Sequence, residues 1–506
     1  MLTTTYRRGA AAGWRARSAP SVPQFFASST GSSANPGTQA SPWNLASVMS
    51  GGPHGELNKP ANGATVYVRG GDYGGGWAPT AALCGLNPHG AFDPRGKVHI
   101  RAFPGEVVTL TDTLTINATA GTDVWWWDLT VQNTNVSSSN VTGIDVHAAR
   151  HGFIRVIAHD HSANGFGCWI EAPDCFFVQP ASFNNGFTGS DPSSSFGHGF
   201  YLENQTGFKR VYGGIAFNGF GYGYHHYASG NSFLTGGDFQ YCGAMGNGKG
   251  TGDGYDFIFG GGPPLINFNC DHPVSLSPTP APSGTCLSIG YTSDGTINQS
   301  GAVTNGFLDG GRVLIEWWDS PAVLTFTNNL IGQGLHVDFA GASATFGAGS
   351  VIDNNTYNYT DTFSPFELER NAVLSTADTI AAWRTLAGSG IDTHSTLTAN
   401  ANIGALVLPW ANPLDPGQGV VHIKNPSGAS TVAVDVSSIL PVGANYSIYH
   451  HHSLTASPVL TGTYPGGTLA FPMNPALPPP AMLGGSLRSV TPIDSRPYAG
   501  MFWVRS

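Results

Sequence analysis

The sequence predicts an all-β chain in which a long β-solenoid is followed by a small β-sandwich, and three observations carry that expectation. The first is composition: 506 residues hold only 21 Lys+Arg and 31 Asp+Glu, about 10% charged, against roughly 25% in an ordinary soluble protein. Gly (69) and Pro (35) are abundant, yet hydrophobic residues still reach 41%. A disordered chain needs low hydrophobicity with high charge, and a long helical one needs many Glu, Lys, Ala and Leu, so short strands joined by many turns are what remains. The second observation is a repeat between about residues 95 and 360. The third is a change of pattern near residue 403, after which alternating strands are separated by Pro/Gly turns.

The repeat is a Gly followed by a short β-rich run. Its clearest copies are Gly143–His147, Gly167–Glu171, Gly199–Glu203, Gly223–Tyr227 and Gly254–Ile258, at spacings of 24, 32, 24 and 31 residues. Val313–Trp317 and Leu335–Phe339 continue the phrase without the Gly. Periods of this size with two-residue alternation define a β-solenoid, one coil per copy. Runs ending at Asn133, Asp160, Asn184 and Asn218 mark turns, because Asn and Asp tolerate left-handed backbone. The expected layout is a flexible tail at 1–24, the solenoid at 25–360, a linker with a short helix at 361–402, and the sandwich at 403–506. The sandwich is expected to cover the open end of the solenoid, where backbone groups would otherwise be unpaired.

Alternation along each strand assigns faces. Ile144/Val146, Cys168/Ile170, Phe200/Leu202, Tyr224/His226 and Tyr255/Phe257 are expected to point inward. Two outward columns then read Asp145, Trp169, Tyr201, His225, Asp256 and His147, Glu171, Glu203, Tyr227, Ile258, with Glu316 and Asp338 continuing the second. Successive coils lie about 4.8 Å apart, which places Glu171 beside Glu203. Rings beside carboxylates suit a sugar surface, and two adjacent carboxyls suit glycoside hydrolysis, their mutual repulsion splitting their pKa values. Glu171, Glu203, His225 and Asp256 are therefore the candidate catalytic residues. Asp145, His147, Trp169, Tyr201 and Tyr227 are the candidate substrate-binding residues. A solvated polar ladder without chemistry is the plain alternative for such a face.

The segment Phe25–Trp43 followed by Ala64–Tyr73 resembles the opening of right-handed parallel β-helix proteins of the pectate-lyase-like superfamily, over about residues 24 to 360. The C-terminal part resembles modules that follow some carbohydrate-active β-helices. The resemblance implies a right-handed parallel β-helix and a carbohydrate-active protein: a glycoside hydrolase first, a polysaccharide lyase second, a non-catalytic tailspike- or adhesin-like glycan binder third. The outward columns carry no Lys or Arg, which a uronate lyase would use, although Lys209, Arg210 and Lys249, read as loop residues, keep that option open.

Partners follow from charge. A net charge of −10 without a basic cluster argues against nucleic acid, and no apolar run of about 18 residues is long enough to span a membrane. A polysaccharide is the expected partner, with a monomer expected for a secreted enzyme and a trimer for a tailspike. The expected location is extracellular or cell-surface, or a phage particle, since residues 1–26 carry Arg7, Arg8, Arg15 and Arg17 but no apolar signal core. Six cysteines allow up to three disulfides, with Cys270–Cys286 the natural loop closure and buried free thiols the alternative. No metal or other cofactor is expected; Asp253–Asp256 is a candidate structural calcium loop with a small donor set, and His159–His161 and His450–His452 are read as turn and strand-end residues.

Overall fold

The computed structural model describes residues 22–506 apart from 59–62, 86–89, 135, 138, 189–196, 229–233, 250–254, 278–283, 293–295, 360–363 and 400–402. Three long sheets run the length of residues 24–399. Sheets A and B each have twelve strands, every pairing parallel, and sheet C has eleven, parallel except for a closing antiparallel hairpin, Phe366–Arg370 with Val373–Ala377. Each coil contributes one strand to A, then B, then C. The chain is therefore a parallel β-helix carrying a C-terminal antiparallel β module.

The coil corners explain the sequence pattern. Asp160, Asn184 and Asn218 stand in left-handed backbone where B turns toward C, as their residue type favours; Asn133 does not. A second left-handed column lies between A and B at Asp128, Arg155, Gln179, Tyr241, His272, Asn305, Asn328 and Asn354. Its mixed side chains hide it from sequence inspection. Inside, like stacks on like: Phe166–Phe200, Phe200–Tyr224 and Tyr224–Phe257 centroids are 4.8, 4.8 and 5.0 Å apart with rings within 5° of parallel. That separation matches the spacing of neighbouring strands.

The register differs from the sequence line-up at two coils. Ile144 pairs with Phe166 rather than Cys168, and Tyr224 pairs with Phe257 rather than Tyr255. The column of small residues is Gly143, Gly165, Gly199, Gly223, then Asp256. At Gly199 a Cβ would sit 2.6 Å from the Gly223 carbonyl oxygen, so the close approach of the next coil requires glycine there. Because the slip is of two residues, strand faces are preserved. It fails only at the ends: Ile170, expected inside, is 37% exposed, and Tyr255 leaves the core to meet Tyr222.

The C-terminal end of the coil is closed by the hairpin and a helix, Ile380–Ala387, capped by Thr379. Trp383 of this helix stacks on Phe366 at 5.1 Å and donates to Asp392. The C-terminal module does not take that role. Its five-stranded sheet, Leu406–Ala411, Gly419–Lys424, Ala499–Arg505, Asn445–His450 and Leu460–Thr463, with the pair Thr431–Asp435 and Thr468–Pro472, lies against the flank. Val420, Leu454, Met501 and Trp503 pack on Ile157, Phe183, Phe217, Met245, Val274 and Phe307 of sheet B. Arg488 pairs with Asp160 at 2.8 Å, Lys424 with Asp309 at 2.5 Å, and Gln179 donates to the Gly419 carbonyl at 2.7 Å. The apolar outer face of sheet B explains the difference, since leaving it in water would cost about 25 cal/mol per Å².

All six cysteines are free and buried, so of the two alternatives the free thiols are found and the Cys270–Cys286 closure is absent. Asp160 of the His159–His161 turn is held by Arg488 and by His159, and His161 reaches the Val131 carbonyl. No described helix is long and apolar enough to cross a membrane.

Candidate functional site

The outward face of sheet C over the coils of residues 144–146, 166–168, 200–203 and 224–227 gathers most of the expected residues. Here the register corrects their order. Asp145, Gly167, Tyr201, His225 and Ile258 form one column, and Glu203 pairs with Tyr227 in the next. Trp169, expected in the first column, follows Cys168 and so continues the line of His147 and Glu203. Glu171 lies beyond the strand, in a turn.

The Trp169 indole lies beside Gly167 and donates to Asp145 Oδ1 at 2.5 Å; a Cβ at Gly167 would make only ordinary contact with the ring, at 3.6 Å, and would crowd Thr142 Cγ2 at 3.0 Å. His147 stacks on Trp169 at 5.8 Å and bridges two acids, Nδ1 to Glu171 Oε1 at 2.6 Å and Nε2 to Asp145 Oδ2 at 3.1 Å. Burial alone would lower the His147 pKa, but the bonds to Glu171 and Asp145 outweigh it and raise it. Glu171 moves the other way: burial opposes its charge, and the His147 bond, the larger influence in sum with its neighbours, holds it below its ordinary value.

Glu203 is only 7% exposed and accepts from Tyr201 Oη at 3.2 Å. Burial, with a smaller push from the Glu171 charge, raises its pKa. Two neighbouring carboxyls are thus driven apart, one toward the protonated form and one toward the ionised form. Of the rings expected to carry sugar, Trp169 and Tyr227 are half-buried, while Tyr201 is 2% exposed. Tyr201 is floor packing and a hydrogen-bond donor rather than a platform, because the coil below and the ring of His198, stacked at 5.5 Å, cover it.

His225 sits in an aromatic nest, 5.2 Å from Tyr201, 4.9 Å from Tyr227, 4.9 Å from His198 and 5.1 Å from Tyr222. Burial pushes its pKa well down, and its Nδ1 makes no hydrogen bond among the described residues. His226 points inward and bonds the Leu202 carbonyl at 3.1 Å. His198 and Tyr222 were missed in the sequence because both precede the strands that define the columns.

Asp256 does not join the groove. It occupies the glycine column, and its oxygens are taken by Ser275 Oγ at 2.5 Å and Asn247 Nδ2 at 2.9 Å. Burial raises its pKa to about 6 from 3.8. The folded state therefore holds this proton more tightly than the unfolded chain, so stability falls as pH rises from about 4 to about 6, by about 3 kcal/mol in all. Asp256→Asn should flatten that segment of a stability-versus-pH curve from chemical denaturation. It should leave activity unchanged, and a large activity loss would return Asp256 to the site. Asp253 lies outside the described residues, so the candidate calcium loop does too.

Lys209 and Arg210 lie on a strand, Lys209–Tyr212, not in a loop. Lys209 is fully buried under the turn that carries Glu171, donating to the Trp169 carbonyl at 2.9 Å, to the Ala172 carbonyl and to Cys168 Sγ at 3.2 Å. Arg210 packs over Phe92 and Phe208 on sheet A. Lys249 is half-buried in a turn and burial lowers its pKa. Farther along sheet C, Glu316 pairs in register with Asp338 and Asp338 with Glu369, continuing an acidic line.

In the C-terminal module, His450, His451 and His452 bring one ring nitrogen each within 4.8 Å of one another. His450 Nδ1 accepts from the His452 amide and His451 Nδ1 from the Met501 amide, at 3.2 and 3.3 Å. Those bonds commit two lone pairs to the backbone.

No family model matches this chain, and no curated protein does. Among solved structures, it is similar to a pectate lyase, Pel9A, at 12% identity and TM-score 0.37, over 73% of this chain and 85% of that one. It is similar to a rhamnogalacturonan lyase at 15% identity and TM-score 0.37, over 74% and 87%. A complex of XylC with xylose aligns at 7% identity and TM-score 0.40, over 95% and 100%.

Proposed function

We propose that the sheet C groove binds a polysaccharide and cleaves it as a glycoside hydrolase. The observation that carries this reading is the opposed pair: Glu203, buried and held toward its neutral form, and Glu171, bonded by His147 and held ionised. Glycoside hydrolysis needs that division of labour, one carboxyl to protonate the departing oxygen and one carboxylate to act as nucleophile or to activate water. Glu203 is the acid in this proposal and Glu171 the carboxylate. Trp169 and Tyr227 offer ring faces to the sugar, and Asp145 with His147 fixes the orientation of Trp169 and Glu171.

A polysaccharide lyase is the second reading, favoured by one observation: His225 is neutral, with Nδ1 unpaired beside Tyr201 and Tyr227, as a proton-abstracting base would be. Lys209 does not serve that reading, since its donors are committed to the Trp169 and Ala172 carbonyls. Incubation with neutral and acidic polysaccharides, following reducing ends together with ultraviolet absorbance, separates the two. New reducing ends without absorbance support hydrolysis, absorbance of an unsaturated product supports elimination, and silence across the panel overturns both.

A further inference from the structure

The C-terminal module and the outer turns of sheet A enclose a cleft of about 510 Å³, within the range of about 300–1,000 Å³ usual for small-ligand sites. Three guanidiniums line it, Arg101, Arg155 and Arg505, with three carboxylates, Glu106, Asp128 and Asp415, of which Glu106 is taken by Arg69 outside the cleft. Arg155 takes up both acids, gripping Asp128 at 2.6 and 2.8 Å and meeting Asp415 at 2.6 Å. Arg101 is 3.7 Å from Asp128, too long for a hydrogen bond. Arg505 makes no hydrogen bond or ion pair through its side chain among the described residues. Its guanidinium lies over Tyr449 at 5.2 Å and Trp503 at 4.9 Å, and its Nε is buried without a partner. Burial lowers its pKa despite the attraction of Asp128.

A buried Nε without a partner is costly, and here it belongs to a half-buried arginine in a chain with 21 basic residues and a net charge of −10. Arg505 thus lines the cleft while lying over two rings, and a guanidinium without hydrogen-bond partners suits a planar carboxylate. Thr130, Gln418 and Ser447 supply hydroxyl and amide groups along the same walls.

We propose that this cleft is a second glycan site, separate from the sheet C groove, which recognises the carboxylate of an acidic sugar residue through Arg505 and Arg101. The anion part of the assignment stands on the cleft alone; the sugar part rests on reading the groove as a polysaccharide site.

The test uses the full chain carrying Glu203→Gln, so that turnover does not consume the probe. Calorimetric titration with an oligogalacturonate, its methyl ester and inorganic sulfate is compared with the same titrations after adding Arg505→Gln or Arg101→Gln. The expected result is binding of the acidic oligomer, about tenfold weaker binding of the ester, and a similar loss in Arg505→Gln. Arg101→Gln, at a side chain about 30% exposed, should lose severalfold and keeps the test open if Arg505→Gln fails to fold. Equal affinity for acid and ester, or unchanged affinity in Arg101→Gln and in any folded Arg505→Gln, overturns the proposal. Sulfate binding as tightly as the oligomer overturns its sugar part. Binding here in a protein inert toward every polysaccharide would leave the cleft standing and the groove reading refuted.

Discussion

Glu203→Gln is expected to reduce polysaccharide cleavage by about 10²–10⁴-fold, the usual worth of a general acid, while leaving the coil folded. The amide has nearly the same shape and can still accept from Tyr201 Oη, so the melting temperature should move little. The pH profile gives the sharper readout. Activity should rise as Glu171 ionises, below the ordinary glutamate value because His147 favours its charge, and fall as Glu203 loses its proton, above the ordinary value because burial and the Glu171 charge disfavour the anion. Glu203→Gln should abolish the alkaline limb of whatever activity remains, and Glu171→Gln the acidic one. A Glu203→Gln enzyme with wild-type kcat and an unchanged profile would remove Glu203 from the chemistry.

Lys209→Met should be the most destabilising single change near the groove. Its ammonium is buried and satisfied by two carbonyls and a thiol. Methionine fills similar volume but leaves the Ala172 carbonyl without its donor, while the Trp169 carbonyl keeps the Ala172 amide at 3.0 Å, and one such buried group costs about 1–3 kcal/mol. A loss of about 1–3 kcal/mol in denaturant unfolding is expected. Lys209 is a positioning residue: it ties down the turn bearing Trp169 and Glu171 and touches no substrate. KM should therefore rise as the Trp169 platform loosens, while Glu203, raised chiefly by burial, also loses the Lys209 charge that lowers its pKa, so the alkaline limb should move toward higher pH. A stability change under about 0.5 kcal/mol would show that the turn holds itself.

Much of this architecture was legible because a β-helix repeats its instructions. The glycine phrase recurs from Gly143 to Gly254, and the stacked Phe166, Phe200, Tyr224 and Phe257 sit on inward positions in every coil. The register was not legible where two glycines compete. Gly165 and Gly167 flank Phe166, and either fits as the anchor until the neighbouring coils are present; the Ser182 and Asn185 side chains, 2.1 and 2.7 Å from where a Cβ would stand, together with the Gly199 carbonyl at 3.0 Å, then require glycine at 165. The same ambiguity moved Asp256 from the groove to a corner, and Trp169 from one column to the next. Tyr201 read as a platform because its face was assigned correctly, while its cover by His198 comes from a loop that no periodicity marks.

Lys209 shows the opposite failure. A lysine in a β-rich run reads as exposed, because burying an ammonium is unfavourable without partners, and its partners come from the turn near residue 170, 37 to 41 residues away. The C-terminal module was recognisable from its alternating strands and Pro/Gly turns, yet its seat on sheet B was not, since the apolar outer face of that sheet is built there from strands of two or three residues, too short to display a pattern.

By itself the sequence determined the fold class and the pairing of faces, because strand alternation and coil repetition are local and survive a two-residue slip. The tertiary structure decided which carboxyls meet, which are turned inward, and that Arg505, without a side-chain hydrogen bond among the described residues, lines a cleft between the helix and the module. Those outcomes depend on burial and on charges brought together across coils, and desolvation exists only once the chain has packed.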